Sequence, residues 1–296
     1  MAGNLEIKPE NYIGRELGTV TILKLIGKGA SGGVFLGFQR TLKRQVAVKV
    51  MPKSDKTSEA SRELFRQEAE MVAVLSHPNI IPIFEMGEAD DCYYQVIQVV
   101  KGKDLDTMIK NRLKNPVPNK RTVPLAELVP LFLQVLDGLG YAHAEGVVHQ
   151  DIKPANILIE ERTKRPLIAD FGIARTRQSE IRQEGIIVGS PLFMAPEQVE
   201  RRDTDHRADI YSMGVVLFQA AVGRLPLTER NPMDLLIKKI EAPDSIFAKR
   251  PSEVHPAVNR DLENIILKAT AASADKRYSS CDEFREDVQN YRRAFL

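Results

Sequence analysis

Apolar positions follow two regimes along the chain. Over the first hundred residues they fall in short runs rich in β-branched and aromatic residues: TVTILKLIG, GGVFLGF, RQVAVKVM and YYQVIQVV. Runs of this length and make-up predict strands. One segment breaks the pattern. Thr57 to Leu75 sets Phe65, Ala69, Val72 and Leu75 at helical spacing. Pro78, in HPNI, ends that helix.

Beyond Gly102 the spacing turns helical. LAELVPLFLQVLDGLGYAHAEG carries Leu128, Phe132, Val135, Leu136 and Leu139 on one stripe, and Gly146 lies past its end. Asp209 to Val222 predicts a nearly all-apolar helix stopped by Gly223. Asn259 to Ala271 and Cys281 to Phe295 predict amphipathic helices. A strand-rich first part and a helix-rich second part predict an α+β chain of two lobes. Their boundary falls near Val100-Lys101-Gly102.

Composition narrows the class without naming it. The 296 residues suffice for a sizeable core, and 43% apolar with 28% charged is ordinary for a globular protein. A net charge of +2 makes no case for nucleic-acid binding. Cys92 and Cys281 form no CxxC pair, so no zinc site or disulfide framework is expected and a reducing compartment fits. The N-terminal MAGNLEIKPENY carries acids and lacks an apolar core, unlike a signal peptide. Met213 to Val222 is too short to span a bilayer, so no membrane span and a cytoplasmic location are expected.

Candidate chemistry begins at Gly27-Lys28-Gly29-Ala30-Ser31-Gly32-Gly33-Val34, which fits G-x-G-x-x-G-x-V between two predicted strands. Such glycines let a turn close over phosphates and offer backbone N–H groups to an anion. A plain hairpin turn fits the same residues equally well. No GxxxxGK[ST] is present and no helix follows, which excludes a Walker loop and a Rossmann turn. In Val46-Ala47-Val48-Lys49, alternation puts Ala47 and Lys49 on one face. A flat base could lie against Ala47 while Lys49 reaches phosphates. A phosphate-binding lysine needs a carboxylate to hold it. Glu68, nineteen residues on, is a candidate, with Glu63 and Glu70 as local competitors.

The most informative stretch runs from Val147 to Leu158, VVHQDIKPANIL. Phosphoryl transfer needs a carboxylate to orient the attacking hydroxyl, a cation against the moving phosphoryl group, and oxygen ligands for a metal. Asp151, Lys153 and Asn156 suit these roles in that order. Asp170-Phe171-Gly172 follows the apolar Leu167-Ile168-Ala169, and Asp170 suits a second metal contact.

Taken together, these stretches resemble a eukaryotic-like (Hanks-type) serine/threonine protein kinase of the bacterial branch. The glycine loop, the VAVK strand, a helical glutamate, HxDIKPxN, DFG and Ala195-Pro196-Glu197 occur in order, over almost the whole chain from about Gly18 to Tyr291. The resemblance implies a bilobal protein-kinase fold with a small β-rich N-lobe and a larger helical C-lobe. Residues 1–17 would be an extension, 18–291 the kinase domain (18–100 and 101–291 its lobes), and 292–296 a tail.

It further implies catalytic roles for Asp151, Lys153, Lys49 and Glu68, the last two as an ion pair. Val34, Ala47 and Leu158 would enclose the adenine of ATP, and Ile26, Gly27, Gly29 and Gly32 would belong to the same site. Ile97 would be the gatekeeper. Gln98 and Val100 would give backbone hydrogen bonds to the base, and Asp104 would contact the ribose. Asn156 and Asp170 would hold Mg2+, with Mn2+ an alternative. Arg277 would pair with Glu197, and Asp209 in DIYSMG would anchor the catalytic loop. Protein substrates and nucleotide are the implied partners, and a dimer is compatible.

One residue departs from the pattern. The family's usual HRD reads His149-Gln150-Asp151, and neutral Gln150 cannot make a charge-assisted pair with phosphate. Between Asp170 and Glu197 the hydroxyls are Thr176, Ser179 and Ser190. Ser190 matches a position that contacts Asp151 and Lys153 near the substrate. A non-RD kinase independent of activation-loop phosphorylation is therefore expected. A pseudokinase would have lost Lys49, Asp151 or Asp170. An aminoglycoside phosphotransferase would lack the APE segment and the docking region before it. Lys153 two places after the base, with Ser190, favours Ser/Thr over Tyr as acceptor.

Overall fold

The computed structural model describes residues 8–29, 32–53, 59–117, 120–171, 191–200, 202–225, 231–243, 246–247 and 249–296. The chain forms two compact units. The first is Met1–Ser76 with Ile81–Lys101, and the second is His77–Ile80 with Gly102–Leu296.

The first unit holds strands β1 (Glu16–Leu17), β2 (Val20–Gly29), β3 (Gly32–Gln39) and β4 (Arg44–Pro52), then helix α1 (Glu59–Ala73), then β5 (Ile83–Glu88) and β6 (Cys92–Ile97). The six strands form one sheet in the order β1-β2-β3-β4-β6-β5, with every pairing antiparallel. Alternation along β4 and β6 sends Val46, Val48, Val50, Cys92, Tyr94 and Val96 to one face, where they pack with Phe35, Leu17, Val20, Ile22 and Tyr12. Each such large side chain, once fully buried, contributes about 1.5–3 kcal/mol over leaving it in water. Helix α1 buries Phe65, Ala69 and Val72, the stripe that the sequence pattern marks. Gln95 Nε2 donates to Phe65 O at 3.1 Å and ties β6 to α1.

The second unit begins with β7 (Gly102–Asp104), α2 (Leu105–Leu113) and α3 (Leu125–Ala144). Then come β8 (Ile157–Glu160), β9 (Pro166–Ile168), α4 (Pro196–Val199) and α5 (Arg207–Val222). Helices α6 (Pro232–Glu241), α7 (Pro251–Val254), α8 (Arg260–Ala269) and α9 (Cys281–Phe295) complete it. Apart from the APE match at the start of α4, nothing in the sequence pattern announces α2, α4, α6 or α7. Helix α5 is buried around nearly its whole circumference, as its unbroken apolar run requires. It stops at Gly223, whose φ of 79° is left-handed and whose N–H closes on Gln219 O at 2.8 Å. Helix α3 is the one helix among the described residues long and apolar enough, by length and composition alone, to cross a membrane. Its Leu128, Phe132, Val135, Leu136 and Leu139 are buried inside the unit, as in a core helix.

A small sheet, β7-β8-β9, carries Asp104 and Leu158 opposite each other. Helix α1 ends at Ala73, short of the Leu75 that the spacing predicts and ahead of the HPNI segment, which is engaged elsewhere. Ile168 N donates to Asn79 O at 2.8 Å, and Asn79 Nδ2 to Pro166 O at 2.8 Å, so both ends of β9 are fixed by one buried asparagine.

Candidate active site

In the first unit, strand register collects the predicted nucleotide residues. Val34 lies opposite Lys49 and also opposite Gly27. Ala47 lies opposite Ile97. Cross-strand partners share a face, so Gly27, Val34, Ala47, Lys49 and Ile97 line one side of the sheet, opposite the core side. Gly29 pairs with Gly32 at the end of the β2–β3 hairpin. A Cβ at Gly32 would sit 2.0 Å from Val50 O, so no larger residue fits that close approach of two backbones. Ile26, on β2, is 47% exposed. Gln98 and Val100 follow β6, half-buried and in neither helix nor strand, and the Gln98 N–H donates to Pro82 O at 3.3 Å. Glu68 lies on α1, but its side chain is outside the described residues, as are Gly172, Thr176, Ser179 and Ser190.

In the second unit, a dense hydrogen-bond set surrounds Asp151. Lys153 Nζ donates to Asp151 Oδ2 at 2.6 Å. Asn156 Nδ2 donates to Asp151 O at 2.9 Å and to Asp151 Oδ2 at 3.3 Å. Lys153 sits in extended backbone, and a single 3-10 turn, Pro154–Asn156, then swings Asn156 back toward Asp151. The two Nδ2 bonds fix the orientation of the Asn156 amide. The Ala169 N–H donates to Asn156 O at 2.9 Å, which brings the residue before Asp170 against Asn156.

His149 completes the linkage. It is fully buried, with Nε2 3.0 Å from Ala169 O and Nδ1 3.2 Å from the Asp151 N–H. A carbonyl only accepts and a backbone N–H only donates, so the proton is on Nε2 and the ring is neutral. Burial pushes its pKa down, against the pull of Asp209. Its ring packs on Phe171, with centroids 4.6 Å apart. Asp151 and Ala169 are thus fastened to one another twice, through Asn156 and through a buried imidazole.

The loop is anchored from below by Asp209, on the first turn of α5. Its Oδ2 accepts from His149 N at 2.8 Å and from His143 Nε2 at 2.8 Å, and its Oδ1 accepts from Gln150 N at 2.7 Å. Gln150 has φ 62°, an uncommon conformation for a non-glycine residue. Two bonds hold it there, the one to Asp209 and one from Gln198 Nε2 to Gln150 O at 3.0 Å. Asp170 also has a positive φ, 53°, and is exposed. Asp104 is the N-cap of α2, accepting from Thr107 N at 2.7 Å and Thr107 Oγ1 at 2.8 Å, and lies opposite Leu158 in the β7–β8 register. Arg277 and Glu197 form the expected pair, at 2.6 Å (Nη1–Oε1) and 2.8 Å (Nη2–Oε2).

As possible metal ligands, Asn156 and Asp170 offer an amide and a carboxylate oxygen. Among the described residues no group of three or more His, Cys, Asp or Glu could hold a metal. Two hard oxygens suit Mg2+, which is bound by one or two carboxylates together with phosphates and water, and not zinc. Sequence reasoning missed Gln198 and Asn79. The signal for Gln198 was its place three residues after Ala195, where it accepts from the Ala195 N–H at 2.9 Å as a helix-start residue does.

Comparison with known proteins gives the family. The protein kinase domain model matches residues 20–288. The serine/threonine-protein kinase PrkC of Bacillus subtilis is 33% identical over 279 residues, spanning 94% of this chain and 41% of that protein. The serine/threonine-protein kinase Pkn1 of Myxococcus xanthus is 34% identical over 285 residues, 94% of this chain and 39% of that protein. The chain therefore spans about two fifths of the length of these relatives. The crystal structure of the Mycobacterium tuberculosis PknI kinase domain matches with a TM-score of 0.72 and 25% identity, covering 94% of this chain and 98% of that one.

Proposed function

Because this chain belongs to the protein kinase domain family, we propose that it is an ATP-dependent protein serine/threonine kinase whose catalytic base is Asp151. The observation that carries the reading is the bonded set Asp151–Lys153–Asn156, with Ala169, the residue before Asp170, hydrogen-bonded to Asn156.

Asp151 orients the substrate's Ser or Thr hydroxyl and takes its proton as the oxygen attacks the γ-phosphorus of ATP. The new O–P bond forms as the bond to the bridging oxygen breaks, and ADP leaves. Lys153, 2.6 Å from Asp151, places a positive charge where the transferred phosphoryl group gathers negative charge. Lys49, sharing a face with Val34 and Ala47, steadies the phosphates while the base lies over Ala47. Asn156 and Asp170 would hold Mg2+, which would supply charge neutralisation on the phosphates. Leu158 and Asp104 serve the adenine and ribose, and the kinase domain spans 18–291.

The Asp151→Asn variant tests the base. Transfer to a generic protein substrate should fall by at least about a hundredfold, the usual worth of general-base catalysis. ATP should still bind with near wild-type affinity, measured by calorimetry. Unchanged turnover would overturn the assignment.

We further propose a non-RD enzyme that does not require activation-loop phosphorylation. Support comes from the loop's own anchors. Gln150 is held by Asp209 and Gln198, and both bonds are independent of phosphate. The dephosphorylated protein carrying Thr176→Ala and Ser179→Ala together should retain most of its activity. A large loss in a labelled-ATP assay would sink the idea.

A further inference from the structure

Lys239 lies outside the transfer constellation, yet it is a lysine with no exposed surface, near the end of α6. Among the described residues no carboxylate pairs with it at ion-pair distance. Its ammonium donates instead to three backbone carbonyls: Pro191 O at 2.9 Å, Leu192 O at 3.1 Å, and Met194 O. The fourth carbonyl of that run, Phe193 O, accepts from Ser212 Oγ at 2.8 Å. Every carbonyl from Pro191 to Met194 is therefore held by a side chain of α5 or α6. The run belongs to neither helix nor strand, so these bonds replace the regular structure that would otherwise fix it.

Two further bonds connect the run to the base. The Ala195 N–H donates to Gln198 Oε1 at 2.9 Å, and Gln198 Nε2 donates to the carbonyl of Gln150, the residue before Asp151. Pro191, Leu192 and Met194 are half-exposed. Lys239 thus shapes an accessible backbone surface tied to the catalytic loop, and an acceptor peptide must approach that loop to reach Asp151.

We propose that Lys239 is a positioning residue for the protein substrate, setting the backbone of Pro191–Met194 and so governing how tightly the acceptor peptide docks beside Asp151. This rests on the kinase reading above. A buried ammonium has three N–H donors for three carbonyls, whereas a neutral amine has two and turns a lone pair on the third. Burial pushes the Lys239 pKa down, to about 7, with the Glu197 carboxylate pulling it up and the Arg277 guanidinium pushing it further down. The ring of Tyr211, 5.3 Å from Nζ, is the other titratable group facing it among the described residues. The docking run is therefore fully held well below pH 7 and loses one donor as pH rises through that value.

The test measures ATP hydrolysis without acceptor, and transfer to myelin basic protein, for the full chain and its Lys239→Met variant. Both are followed from about pH 6 to about pH 8.5, a range that brackets neutrality. In the variant at about pH 6, KM for the protein should rise about tenfold, the order expected when a charged donor is lost. Its kcat, its KM for ATP and its ATP hydrolysis should stay within about twofold of wild type. The wild-type protein KM should climb with pH, and the variant's should stay high and flat. An unchanged protein KM in the variant overturns the inference. So does an equal loss of hydrolysis and protein transfer, which marks the lysine as a stabiliser of the fold alone. If the variant does not fold, a wild-type protein KM that is constant with pH overturns it. A wild-type chain that hydrolyses ATP but phosphorylates no protein overturns the kinase reading instead.

Discussion

At Asp209 a single buried carboxylate receives three donors: His149 N, Gln150 N and His143 Nε2. Burial alone would raise its pKa, but the bonds from His143 and His149 together hold it below the usual carboxylate range. A depressed folded-state pKa stabilises the protein above the unfolded value and is lost as pH falls through the folded one. Asp209→Asn keeps the shape but turns an amide NH2 toward one of the donors. It should lower unfolding stability by about 1–3 kcal/mol, the usual loss for a buried donor left unpaired. Because Gln150 depends on this bond for its φ of 62°, kcat should fall while KM for ATP holds. Urea unfolding and steady-state kinetics check both. The role of Asp209 was legible through the resemblance, which implies that the aspartate of DIYSMG anchors the loop that carries His149 and Gln150. Lys239 was not. In LLIKKIE two lysines look alike, and only packing buries Lys239 while Lys238 stays half-exposed.

Among the elements, α6 reverses the usual pattern. It buries Leu235 and Lys239, four residues apart, and exposes Met233, Ile237 and Ile240. A pattern that expects apolar faces inside misses such a helix. Helix α9 behaves as its sequence predicts. Ser280 caps it, accepting from Glu283 N at 3.1 Å in an S-x-x-E arrangement. Glu283 also binds Lys268 on α8 at 2.8 Å, and it accepts from Ser279 N at 2.7 Å and Ser279 Oγ at 2.8 Å. The Lys268 bond, then those from Ser279, lower the Glu283 pKa to about 2. The stabilisation is present above the unfolded carboxyl value of about 4.3 and is lost as pH falls toward the folded value. Glu283→Gln should therefore reduce the urea midpoint at neutral pH, and the gap to wild type should close as pH falls below about 4. A gap that is constant with pH would show that the charge of Glu283 contributes nothing.

For the molecule as a whole, sequence alone determined the family resemblance and the order of the motifs that carry it. The motif residues and their order stand in the sequence itself, whereas the register of β2 on β3 shifts between Ile22 and Lys24 and between Leu25 and Gly27, which alternation does not announce. Alternation along β4 by itself puts Lys49 and Ala47 on one face, and the pairing of β3 with β4 then adds Val34. The same holds for the Asp151–Lys153–Asn156 spacing, because a short turn can bring only nearby residues together. The tertiary structure decided what holds these parts still. Asn79 reaches 87 residues along the chain to Pro166, Gln198 reaches 48 back to Gln150, and Lys239 reaches 48 back to Pro191. Such partners carry no local signature, because an amide or an ammonium reads as a solvated surface group until the fold closes over it. Local periodicity records which face of an element is dry. It does not record which distant carbonyl a buried donor will find, and in this protein those carbonyls fix the loop that carries Asp151 and the segment beside it.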